Sequence, residues 1–208
     1  MNDAQKFVQK LVESTAYHEA AHEVTSVVLQ IPIQAMGVHI DSKGSGVSLT
    51  YRRFAGDPKK EPKDIHEREQ SIILLTAGYV GQVRFCEDAS TDGAADDQKH
   101  IGDLLNEMYE HESDEWIDAK CRLRDKAKEI VAEEWQAIEA LAEALWAKPW
   151  VSRVPLPESD MRWSNDTREK WMDAKEVESI LKPFGLNPII KSNSAGDYEH
   201  PVDALHKT

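Results

Sequence analysis

Only two cysteines, Cys86 and Cys121, occur among the 208 residues. Two are too few for a disulfide framework or a cysteine-rich zinc site. The simplest reading is a pair of reduced thiols in a cytoplasmic protein, with Cys121 on the apolar stripe of a long helix. Long apolar runs are missing as well. No stretch approaches the ~20 residues needed to span a bilayer, and the polar start lacks the apolar core of a signal peptide. No membrane insertion is therefore expected. There is no G-x-x-x-x-G-K-[ST] phosphate loop from which a motor would draw work, and no internal repeat. Basic residues are in deficit: 25 Lys and Arg face 38 Asp and Glu, a net charge of −13. That balance argues against nucleic acid or an anionic membrane as the main partner. The length suits one medium domain with an adequate core.

What the chain does contain is His18-Glu19-Ala20-Ala21-His22. Histidines four residues apart on a helix share one face, about a turn along, and both imidazoles can reach one ion. A glutamate beside the first histidine is then placed to take a proton from water. This is the HExxH arrangement of zinc-dependent hydrolases. The surroundings read as helix. No proline or glycine lies between Phe7 and Leu29, apolar residues recur at Phe7, Leu11, Val12, Val24, Val27, Val28 and Ile31, and Pro32 is the expected stop.

A hydrolytic zinc site takes a third protein ligand and keeps one position for water. A second apolar helix is expected from Ile65 to Phe85, and a third from Asp96 to Met108. Between them lies Ser90-Thr91-Asp92-Gly93-Ala94-Ala95-Asp96-Asp97. Its acidic residues suit a helix start. On chemistry alone Asp92, Asp96, Asp97 and His100 all remain open as the third ligand.

Thr15-Ala16-Tyr17-His18-Glu19-Ala20-Ala21-His22 resembles the zinc helix of the FtsH-type membrane proteases, which reads approximately V-A-Y-H-E-A-G-H. That family continues with G-G-R-A-A-E-E and then T-G-A-S-N-D. This chain has Ala77-Gly78-Tyr79-Val80-Gly81-Gln82, then Thr91-Asp92-Gly93-Ala94-Ala95-Asp96-Asp97. Aligning Gly93-Ala94 with the family's G-A implies Asp97 as the third ligand beside His18 and His22, with Glu19 as the catalytic base and Zn2+ as the cofactor. Gly78 and Gly81 would let the second helix approach the zinc helix, as in the family. Two strands are read at 38–40 and 47–51, around a loop with Gly44 and Gly46. They are similar to the family's hairpin. A helix from about Asp114 to Lys148, and a short one at 173–181, resemble its closing helices. Ala21 and Gln82 depart from the pattern, standing where the family has glycine and glutamate.

The resemblance implies a mainly α (α+β) fold: a helical zincin-like peptidase domain over residues 1–182, with a Trp- and Pro-rich insertion at about 149–171. From Pro183 onward an irregular tail (183–208) is expected. The implied activity is zinc-dependent endopeptidase cleavage of unfolded or flexible polypeptides, independent of ATP by itself. The sequence leaves room for a homo-oligomer or a separate ATPase partner. The alternative is a catalytically silent, zinc-stabilised binding or regulatory module.

Overall fold

Asn2 opens the first helix, α1 (Asp3–Val28), with a reciprocal capping box: its side chain accepts from the Gln5 N–H, and the Gln5 side chain accepts from the Asn2 N–H. The computed structural model describes residues 2–50, 64–89, 94–152 and 168–191. Residues 51–63, Asp92, most of the Trp/Pro insertion and the tail beyond 191 lie outside those residues.

α1 ends before Pro32 is reached. Gln30 adopts the left-handed region at φ 56°. The Gln30 N–H donates to the Val27 carbonyl (3.1 Å), and the Ile31 N–H donates to the Ser26 carbonyl (2.8 Å). Those two bonds are the Schellman closure, made here without glycine.

Every residue from Ser14 to Val27 is buried. The helix has no solvated face there, because α2 (Ile65–Phe85), α5 (Trp135–Ala147) and a β-hairpin all pack on it. Such a helix is ordinarily apolar all round. This one carries His18, Glu19, His22 and Glu23, between 0% and 7% exposed. Burying ionisable groups costs several kcal/mol each unless they are paired, so the exception points at chemistry.

α2 matches the expected helix residue for residue, capped by Asp64 on the Glu67 N–H. Gly81 is where α2 meets α1. A Cβ there would stand 2.6 Å from the Ala21 Cβ and 3.0 Å from the Tyr17 carbonyl. The methyl that Ala21 adds to the zinc motif is thus accommodated by a glycine opposite. α3 (Ala95–Met108) follows, then α4 (Asp114–Glu133).

A single helix over 114–148 was expected, but the structure divides it at Glu134 into α4 and α5. No proline or glycine marks the break. Arg84 of α2 donates to the Val131 carbonyl (3.4 Å) and lies 4.3 Å from the Trp135 ring centroid. In a continuous helix that carbonyl would accept from the Trp135 N–H, so an inserted side chain interrupts the ladder. Cys121 is exposed, contrary to its expected place on the apolar stripe, and Ile117 is exposed too. The buried line of α4 runs instead through Ala119, Leu123, Ala127, Ile130 and Val131.

The β structure is larger than a hairpin. β1 (Ile33–Asp41) pairs antiparallel with β2 (Gly46–Thr50), and its other edge takes β4 (Arg168–Met172), which in turn pairs with β3 (Val151–Ser152). β5 (Ile190–Lys191) runs parallel to the start of β1. Strands that include residues 168–171, read as the end of an insertion, and 190–191, read as tail, thus complete the sheet. Gly37, at φ 65°, sits between the two halves of β1. A Cβ there would meet the Met172 carbonyl at 2.3 Å, so only glycine lets β4 approach. α6 (Ala174–Leu181), capped by Asp173 and Glu176, packs on β1. The fold is mainly helical with a β component, as the resemblance implied. No helix among the described residues is long and apolar enough to cross a membrane.

Candidate metal centre

His18 and His22 project from α1 toward α2, where each meets a fixed acceptor. His18 Nδ1 lies 3.2 Å from Gln82 Oε1, and His22 Nδ1 lies 2.8 Å from the Leu74 carbonyl. The Gln82 amide is oriented in turn by donating to Ser14 Oγ (3.2 Å). Both partners are acceptors, so both imidazoles carry hydrogen on Nδ1 and turn Nε2 inward. The two Nε2 atoms stand 2.9 Å apart. Asp97 Oδ2 approaches them at 3.0 and 3.2 Å.

Three electron-rich atoms at such separations repel one another unless positive charge lies among them. In the metal-free protein a proton supplies it. Burial alone would lower the pKa of His22, but the charge and hydrogen bond of Asp97, with Glu19 and the Leu74 carbonyl, outweigh burial and raise it to about 9. Asp97 moves the opposite way. Burial raises it, yet the two histidines hold it well below the usual carboxylate range. A dication satisfies the same three atoms more fully than a proton. Atoms bonded at ~2.0–2.1 Å to one tetrahedral centre lie ~3.3 Å apart, close to the spacing seen here. The buried His18–His22–Asp97 group can therefore hold a metal ion.

Gly78 makes the room. A Cβ at that position would lie 2.3 Å from His22 Nε2 and 2.7 Å from His18 Nε2. The glycine leaves open the space into which both nitrogens point.

Of the four candidates for the third ligand, Asp97 is the one that the structure brings to the histidines. Asp96 is exposed and His100 is outside the group. Asp92 lies outside the described residues. Among the described residues no other set of His, Cys, Asp or Glu converges in this way. Glu19 is 5% exposed and is not part of the group. Its carboxylate lies over β2: a Cβ on Gly46 would be 2.6 Å from Glu19 Oε1. Burial raises its pKa, partly opposed by the charges of His18 and His22. A buried carboxylate with raised proton affinity is a stronger base than a solvated one.

Two residues of the site escaped the sequence reading. Gln82 stands in the sequence only as a departure from the family's glutamate, a charge lost, but its amide oxygen orients His18. Glu23 was not singled out. It is fully buried, Ser48 Oγ donates to its Oε2 at 2.5 Å, and its Oε1 has no partner among the described residues. Burial raises its pKa, and despite the Ser48 bond it reaches about 7. The available signal was its spacing, four residues after Glu19 on a helix with no exposed face.

No family model and no curated protein matches this chain.

Proposed function

We propose that the protein is a zinc-dependent metalloendopeptidase that cleaves flexible or unfolded polypeptides. The observation that carries this reading is the division of labour on α1. His18 and His22 turn Nε2 toward Asp97 with their Nδ1 atoms already occupied. Glu19, between them, stays out of the ligand group and faces β2. The resemblance of residues 15–22 and 91–97 to the FtsH-type proteases supports the same assignment.

His18, His22 and Asp97 would hold the ion. Zinc bound there would supply Lewis acidity, polarising the scissile carbonyl and making water more acidic. Glu19 accepts a proton from the attacking water at its carboxylate and later returns it to the departing amine. β1 is covered on its outer edge by β4 and β5, whereas β2 has β1 as its one strand partner among the described residues. That edge of β2, which pairs with no other strand among the described residues, suits an extended peptide added as a further strand, through main-chain bonds that read little sequence. A non-catalytic, zinc-stabilised module has no use for Glu19, and a structural zinc site ordinarily takes four protein ligands.

The test is hydrolysis by the purified, zinc-loaded chain of a disordered protein and of a stable folded domain, each with and without ATP. The disordered protein is expected to be cut, and ATP to change nothing. The folded domain is expected to survive, since opening it takes ~5–15 kcal/mol. Glu19→Gln should keep its zinc and lose at least ~100-fold in kcat. Hydrolysis at the wild-type rate by Glu19→Gln would refute the assignment.

A further inference from the structure

We propose that Glu23 is a positioning residue, which through Ser48 holds β2 at a fixed height against Glu19 and so sets where a bound polypeptide meets the base; this rests on the peptidase reading above.

Three contacts of α1 with the hairpin form a ladder. Thr15 Oγ1 donates to the Gly44 carbonyl at 3.0 Å, Glu19 lies over Gly46, and Glu23 accepts from Ser48. Each rung advances four residues on the helix and two along the hairpin, from Gly44 in the turn to Gly46 and Ser48 on β2. Four helical residues rise ~6.0 Å and two strand residues ~6.6–6.8 Å, so helix and strand stay in step from Glu19 and Gly46 to Glu23 and Ser48. The middle rung is the base. The first rung binds the turn, and the last binds the strand beyond Gly46. A shift of β2 along α1 would move Gly46 and the substrate edge past Glu19 together.

The chemistry of the last rung argues against mere packing. Burying the polar head of Glu23 carries a desolvation cost that an apolar pair at positions 23 and 48 would not. One of its oxygens has no partner among the described residues, which adds to that cost. What the pair supplies in return is direction. A hydroxyl–carboxylate bond has a defined length and angle, whereas apolar contacts slide. Neither residue is in the ligand group, so the effect on zinc is separable.

The experiment uses the full zinc-loaded chain with Glu23→Ala, Ser48→Ala, the double variant and Glu23→Gln. It measures zinc content, kcat and KM on a disordered protein, and hydrogen exchange of the amides at 46–48. Zinc should stay stoichiometric in all four. Each alanine variant should lose ~10–100-fold in kcat, the scale of a misplacement of about 1 Å, with KM changed less than about threefold. The double variant should lose no more than either single one, because the two residues act as a unit. Glu23→Gln, which still accepts from Ser48, should stay within about threefold of wild type. Exchange at 46–48 should quicken about tenfold or more in the alanine variants and not in Glu23→Gln. Wild-type kcat in the alanine variants, additive losses, failure of glutamine to rescue, or unchanged exchange would each overturn the proposal. A zinc-loaded wild type that cuts no polypeptide would refute the peptidase reading instead. The exchange data would still decide whether Glu23 fixes β2.

Discussion

Adding one methyl group at position 78 tests where the ion sits. Gly78 is in the body of α2 with helical φ and ψ, so alanine there is locally welcome and favours the helix by up to ~1 kcal/mol. The new Cβ, however, would stand 2.3 Å from His22 Nε2 and 2.7 Å from His18 Nε2. An ion bonded to both nitrogens needs ~2.0–2.1 Å from each, so methyl and metal compete for one space. The readout is the part of the stability that depends on zinc. A ligand at a hundred times its Kd stabilises by ~2.7 kcal/mol. At ~2–4 °C per kcal/mol for a domain of this size, the wild-type Tm should rise ~5–11 °C on loading. Gly78→Ala should show no rise and no bound zinc by elemental analysis, with its helical circular dichroism retained. Gly102→Ala is the control, since a Cβ there meets nothing within 4 Å; it should keep both zinc and increment. Stoichiometric zinc with an undiminished increment in Gly78→Ala would refute the placement.

Asp97→Asn should weaken zinc binding by at least ~100-fold, whereas Asp96→Asn, at an exposed position, should bind as wild type; equal losses in a zinc titration would show the register to be wrong. Gln82→Ala removes the acceptor of His18 Nδ1 and should cost ~10–100-fold in zinc affinity, with Gln82→Glu restoring it; an unaffected alanine variant would mean that His18 is oriented by something else. In the metal-free protein His22 rises from 6.5 to about 9 and Glu23 from 4.5 to about 7. Both groups hold more protons folded than unfolded, so their contribution is complete below the unfolded pKa and is lost as pH rises through the folded one. The stability of the metal-free protein, and with it Tm, should therefore fall between pH 5 and pH 9, by about 3 kcal/mol for each group, while the increment from zinc grows. A metal-free Tm that climbs through that window would contradict the assigned environments.

The parts of the molecule legible in the sequence were those governed by local rules. The bounds of α2 follow from its apolar pattern and the Asp64 cap. The inward pair on α1 follows from four-residue spacing. What sequence could not supply was set by partners distant along the chain. The break at Glu134 is made by Arg84, 47 residues upstream of Val131. β4 joins the sheet from a segment that reads as a Trp- and Pro-rich insertion, and Lys170 is buried there with its ammonium over the Trp146 and Trp150 rings at 4.4 and 4.7 Å. The role of Gln82 depends on a pairing across 64 residues. A lost charge is visible in a string of letters, but the imidazole that its amide faces is not.

His22 and Asp97 are separated by 75 positions along the chain. An ion held between them would also be a cross-link, fastening α3 to α1 across a loop that includes the hairpin and α2. Closing a loop of that length removes much of the freedom of an open chain, as a covalent bridge does. α3 has no side-chain cap at its start and packs on α2 and α4. The tether would therefore fall on a helix whose start has no side-chain cap. An ion bound there would hold the start of α3 against α1, so that metal affinity and the stability of that contact would be linked.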